Sequence, residues 1–189
     1  MAEHYSLDGV EDGFALPYFA MAAIKAGDRT QPERLAQEQQ MPGGFEIQGN
    51  FYRLLTRALI AGADKKLEAA ESLLRGAFNI RSGTGYEPIT TEYEFAEVCD
   101  WLFSETQDRR FIVILLDYLK EYEKIQPTYA WAYALEYTFE VPGERRIRAL
   151  AMALYLDPAS ERIKRAPKSE VVEARRRTAP CTPRFACAY

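Results

Sequence analysis

The chain is poor in the residues that most often carry chemistry. It has one histidine, His4, and three cysteines, Cys99, Cys181 and Cys187, in 189 residues. A single histidine near the N-terminus excludes a histidine-based nucleophilic triad and a multi-histidine metal site. An odd number of cysteines with no CxxC pair argues against both a disulfide scaffold and a structural zinc site. Cys99 falls among apolar residues at helical spacing and reads as a core thiol. Cys181 and Cys187 lie in a proline-containing tail. Long hydrophobic runs are also missing. "FALPYFAMAA" is too short to cross a bilayer and contains Pro17, and "FIVILLDYL" is short and holds Asp117. The opening stretch "MAEHYSLDGVEDG" is acidic and places no basic region ahead of an apolar one, so a secretory leader is not expected. No GxxxxGK[ST] occurs, and "SGTG" at 82–85 lacks the lysine of a phosphate cradle. These absences lead to the expectation of a cytoplasmic protein with no metal, no cofactor and no membrane partner.

Charge is present but unevenly distributed. From Arg162 onward there are eight basic residues and two acidic ones, a surplus of six. The overall charge of −4 then leaves the body before Arg162 at −10. This predicts an acidic helical domain over 1–161 and a basic C-terminal helix and tail over 162–189. Arg175, Arg176 and Arg177 are candidates for an electrostatic arm. Such an arm suits either the protein's own acidic body or an anionic partner such as nucleic acid.

The remaining pattern is helical. Phe51, Leu54, Leu55, Ala58 and Leu59 recur at i, i+3, i+4, i+7 and i+8, which places them on one helix face. Gly62 reads as the end of that helix and Asp64 as the N-cap of the next, with Leu67, Ala70, Leu73, Leu74 and Ala77 as its buried stripe. "NIRSGTGYEPI" reads as a loop. Thr91 and Glu94 form a T-x-x-E capping box ahead of Phe95, Val98, Cys99, Leu102 and Phe103. The "IVI" within Phe111–Tyr122 is β-like, but helical spacing persists over a dozen residues, so length decides for a helix. Pro127 opens another helix, Pro142-Gly143 breaks it, and Glu144–Leu156 follows. Asp157-Pro158 stops that helix and reads as the start of a short further one. Ser169 to Arg177 is the last predicted helix. No segment alternates with period two, so the expected fold is all-α. Helices of this length joined by short turns pair as antiparallel neighbours.

The segment Pro127–Pro158 resembles a tetratricopeptide repeat, a unit of about 34 residues built from two antiparallel helices. "ALYLDP" reads like the closing turn of that repeat, with Ala153 at the small position and Pro158 at the proline. Ala134 and Tyr137 fall at the small and aromatic positions of the first helix. Arg146, Leu150 and Trp131 depart from the pattern. Sliding back about 34 residues pairs Leu150 with Leu116 and Tyr137 with Phe103, which extends the resemblance over 91–158. The resemblance implies stacked antiparallel hairpins, the other possibility being a non-repeating helical bundle. It also implies that the first helix of each hairpin lines a concave surface. Tyr129, Trp131, Tyr133 and Tyr137 are therefore the candidate partner-binding residues, because rigid aromatic side chains make good peptide contacts.

The function expected on these grounds is a protein–protein interaction module of adaptor, chaperone or inhibitor type, taking a protein or peptide partner in a helical groove. Two alternatives stand beside it. One is an enzyme using carboxylates, with Glu94, Glu97 and Asp100 spaced along one side of a helix; buried together they would raise one another's pKa or hold a hard cation. In their simpler reading they form a solvated acidic face. The other is a nucleic-acid binder acting through the basic tail.

Overall fold

A computed structural model of the chain describes residues 16–38, 46–83, 92–125 and 127–178. Among the described residues there are nine helices and no strand, so the fold is all-α. None of these helices is long and apolar enough to cross a membrane. His4, Gly43-Gly44, Thr91 of the expected capping box, Cys181, Cys187 and the tail after Thr178 lie outside the described residues. The chain divides into two compact units, Met1–Leu115 and Leu116–Tyr189.

The first unit holds α1 (Leu16–Lys25), α2 (Thr30–Glu38), α3 (Glu46–Ala63), α4 (Leu67–Gly83), α5 (Glu92–Thr106) and the first turns of α6 (Arg110–Ile125). α3 is its centre and packs against α1, α2, α4 and α5. The expected stripe accounts for this: Phe51, Leu55, Ala58 and Leu59 are all buried, and Ala70, Leu74 and Ala77 of α4 bury with them. Phe95 of α5 joins the same core, stacked 6.3 Å from Phe51 and tilted 6.2 Å from Phe78.

Local chemistry sets the turns. Gly27 has φ +82°, and the amide of Asp28 donates to the carbonyl of Ala23. That is a Schellman ending, which glycine enters without steric cost. Asp28 then caps α2 by accepting from the amides of Thr30 and Gln31 at 2.9 and 3.3 Å. The end of α3 differs from expectation. Gly62 lies inside its last turn, and the left-handed residue is Lys65, at φ +62°. The amides of Lys65 and Lys66 close another Schellman motif on the carbonyls of Gly62 and Ala61. Asp64 does not cap α4; its carboxylate accepts instead from Lys66 at 3.1 Å. α4 also runs on through Asn79 to Gly83, so the expected loop is helical in its first five residues.

The second unit holds the rest of α6, then α7 (Ala130–Phe139), α8 (Glu144–Leu156) and α9 (Lys168–Thr178). α8 packs against both α7 and α9. Small residues allow the close approach: Ala134, Ala149, Ala151 and Ala153 are buried between larger neighbours, among them Tyr137 and Leu150. The segment after Asp157 forms turns rather than the expected short helix, with Asp157 Oδ1 accepting from the amide of Ala159 at 3.0 Å. Ile163 and Ala174 are buried in the same core as α7 and α8. Ile163 and Ala174, both within the basic C-terminal region, thus contribute to the packing of this unit.

Candidate functional site

The aromatic candidates divide into two pairs. Tyr133 and Tyr137 are buried, at 5% and 4% exposure. Tyr133 donates its hydroxyl to the carbonyl of Pro127 at 3.1 Å, and Tyr137 donates to Glu170 Oε2 at 2.7 Å. Their polar ends are satisfied inside the second unit, as buried phenols require. Tyr129 and Trp131 are half-buried and sit edge-on to Tyr122 of α6, at 5.9 and 6.5 Å between ring centroids. Tyr122 in turn stacks on Tyr118 at 6.2 Å. The tyrosine-rich helix therefore spends two of its four candidate rings on the core.

Arg175, Arg176 and Arg177 lie on α9, a folded helix docked on α8. Arg177 reaches Glu144 and Glu173, each at 3.4 Å, and Arg176 reaches Glu173 at 3.7 Å. Arg176 keeps 75% of its side chain exposed.

The acidic trio on α5 is not a solvated face. Glu94 is buried, while Glu97 and Asp100 are half-buried. Across from them, burial together with the charges of Glu94 and Glu97 pushes the Tyr18 phenol up to about 12. Burial, with a lesser contribution from Asp100, likewise pushes the Cys99 thiol up, which keeps it protonated and unreactive. Among the described residues, no group of three His, Cys, Asp or Glu side chains is placed to hold a metal ion.

Two arrangements emerge that residue spacing did not show. The first is an ionic cluster in the second unit. Glu136 of α7 is buried at 3% exposure and accepts from Arg145 of α8. Arg145 also lies 3.3 Å from Glu140 Oε2. Glu123 of α6 faces Glu136, with Arg145 and Arg148 nearby. One of its carboxyl oxygens, Oε1, is buried without a hydrogen-bond partner.

The second is a cleft of about 530 Å³ in the first unit, between α2, α3 and α4. Ala36, Ile60, Ala61, Ala69 and Leu73 provide its apolar surface, and Glu33, Gln37, Arg57, Asp64 and Lys66 its polar edge. On α3 the lining residues Arg57, Ile60 and Ala61 recur at i, i+3 and i+4, with Asp64 in the turn just beyond, so one helix face forms a wall of the cleft. Alanines at 36, 61 and 69 explain the hollow: side chains this small do not fill the space between three helices. The run of small residues around the α3–α4 turn, flanked by Arg57, Asp64 and Lys66, was the available signal for it. Asp64 is held by Lys66 at 3.1 Å and lies 3.9 Å from Arg29.

No family model matches the chain, and neither a curated protein nor a solved structure shows significant similarity to it.

Proposed function

We propose that the protein is a helical interaction module that receives a peptide segment of a partner protein in the cleft between α2, α3 and α4. The observation that carries this reading is the cleft itself. Its volume, about 530 Å³, falls within the range of ligand-binding concavities, and its apolar walls carry a few polar groups of both signs. Apolar walls supply affinity by excluding water, and a mixed-charge edge supplies register. The tetratricopeptide-like reading of the hairpins belongs to the same proposal, supported by the buried positions of Ala134, Tyr137, Ala149 and Ala153 where α7 meets α8.

A displayed peptide library panned on the full chain tests it. Ala69 is exposed at the cleft and lies on α4, so Ala69→Arg obstructs the cleft while leaving the core alone. Enriched peptides should bind this variant at least about tenfold more weakly, a loss of about 1.4 kcal/mol. Equal binding to both proteins, or no enrichment, rejects the cleft.

A second reading has its own observation. Lys168, Arg175 and Arg176 are exposed on α9, which suits an anionic partner such as nucleic acid. Arg175→Glu with Arg176→Glu should abolish duplex binding that weakens steeply with salt. Salt-insensitive binding, or none by the unaltered chain, dismisses this reading.

A further inference from the structure

The ionic cluster of the second unit is short of positive charge. Glu123 on α6, Glu136 on α7 and Glu140 just beyond it supply three carboxyls. Arg145 and Arg148 on α8 supply two guanidiniums. The neighbouring charges are engaged elsewhere. Lys120 pairs with Asp117 at 3.1 Å and Lys124 with Glu121 at 2.7 Å, both along α6. Arg146 pairs with Glu170 at 3.4 Å, and Glu144 with Arg177 at 3.4 Å. Arg145 is shared between Glu136 and Glu140. Glu123 therefore faces a buried carboxylate whose arginine is already occupied, and its Oε1 is buried with no hydrogen-bond partner. One proton corrects both faults: it balances the charge, and it lets one carboxyl donate to the other.

We propose that Glu123 and Glu136 hold one proton between them and act as a proton-operated latch that fastens the C-terminal half of α6 to α7. Release of the proton leaves two facing carboxylates in a half-buried contact, and their repulsion loosens the end of α6. Burial first, and the neighbouring Glu136 second, raise the Glu123 carboxyl to about 8, against the pull of Arg145 and Arg148. A carboxyl whose folded value lies above its unfolded one keeps a proton that the unfolded chain has released. Its contribution to stability is complete below the ordinary value of 4.5 and is lost as the pH rises through about 8. The latch is thus closed in mildly acidic to neutral solution and open in mildly alkaline solution.

The test uses the full chain from about pH 5 to about pH 9, a range that spans the expected loss. Thermal midpoints and amide exchange over residues 116–125, corrected for intrinsic rates, are followed together. The unaltered protein should lose midpoint with rising pH and exchange about tenfold faster at the alkaline end. Glu123→Gln keeps a neutral side chain throughout and should flatten both profiles. Parallel profiles for the two proteins overturn the proposal. Carboxyl carbon NMR of the unaltered chain gives an answer that does not depend on the variant folding. Titration of the Glu123 carboxyl near neutrality or above supports the latch, and its titration in the ordinary acidic range overturns it.

Discussion

Tyr137 donates its hydroxyl to Glu170 Oε2 at 2.7 Å, while Arg146 lies over the same ring with its guanidinium carbon 4.4 Å from the centroid. Arg146 Nε also reaches Glu170 Oε2, at 3.4 Å. Three helices, α7, α8 and α9, thus meet around one phenol, one carboxylate and one guanidinium. Tyr137→Phe keeps the ring under Arg146 and removes only the hydroxyl, so it should cost about 1–2 kcal/mol in urea unfolding. Glu170→Ala should cost a similar amount, and the double variant clearly less than the sum, because both remove the same bond. Additive losses would mean that the bond is absent in solution.

Tyr133 gives a different expectation from the half-buried rings on the same helix. Its ring is buried and its hydroxyl is held by the Pro127 carbonyl. Tyr133→Ala should cost about 3–5 kcal/mol, through the cavity left behind and the lost bond. Trp131→Ala should cost less, because the indole, edge-on to Tyr122, is only half-buried. Thermal midpoints rank the two substitutions directly, and the reverse order would place Trp131 rather than Tyr133 in the core.

What the residues revealed beforehand, and what they did not, follows from whether the determining interactions are local. α8 spans the expected Glu144–Leu156, because Pro142-Gly143 and Asp157-Pro158 bound it within the sequence itself. The β-like "IVI" lies inside α6, where the helical period of the apolar residues prevails. Gly62 reads as a helix end, but its real constraint is Leu102, forty residues away. Asn79–Gly83 is polar and flexible in composition, yet it continues the helix begun at Leu67. Glu94 has the spacing of a solvated face but is buried. The cleft was least legible of all, since the small residues around the α3–α4 turn mark a hollow only once three helices dock around them. The latch residues were equally hidden, because Glu123, Glu136 and Arg145 come from three separate helices.

Asp108 offers a pH-dependent prediction with a definite sign. It caps α6 by accepting from the Arg110 amide at 2.9 Å, and its other oxygen lies 3.0 Å from Arg110 Nε. The amide bond first, then the side chain of Arg110, hold its carboxyl below the ordinary value of 3.8. A lowered carboxyl contributes stability above its unfolded value and loses it as the pH falls through the folded one. Asp108→Ala should therefore cost about 1 kcal/mol near neutral pH. The gap between variant and parent should close as the pH drops below about 3.8. Urea midpoints at neutral and strongly acidic pH check this, and a gap independent of pH would remove the charge from the cap's action.

Gly62 sits in the last turn of α3, where alanine would ordinarily stabilise a helix by about 1 kcal/mol. Here the position of an added Cβ is occupied by Leu102 Cδ2 of α5. Leu102 is wholly buried, so its side chain must shift against its neighbours in a packed interior to admit the methyl group. Gly62→Ala should therefore destabilise by about 1–3 kcal/mol, the range for overpacking a close-packed core. Leu102→Ala alone should cost about 2–5 kcal/mol through the cavity it opens. Combining the two puts a methyl group into that cavity, so the double variant should be more stable than Leu102→Ala alone. A double-mutant cycle in urea measures the coupling. Simple addition of the two losses would show that α3 and α5 do not approach at Gly62, and would remove the packing reason for a glycine inside the helix.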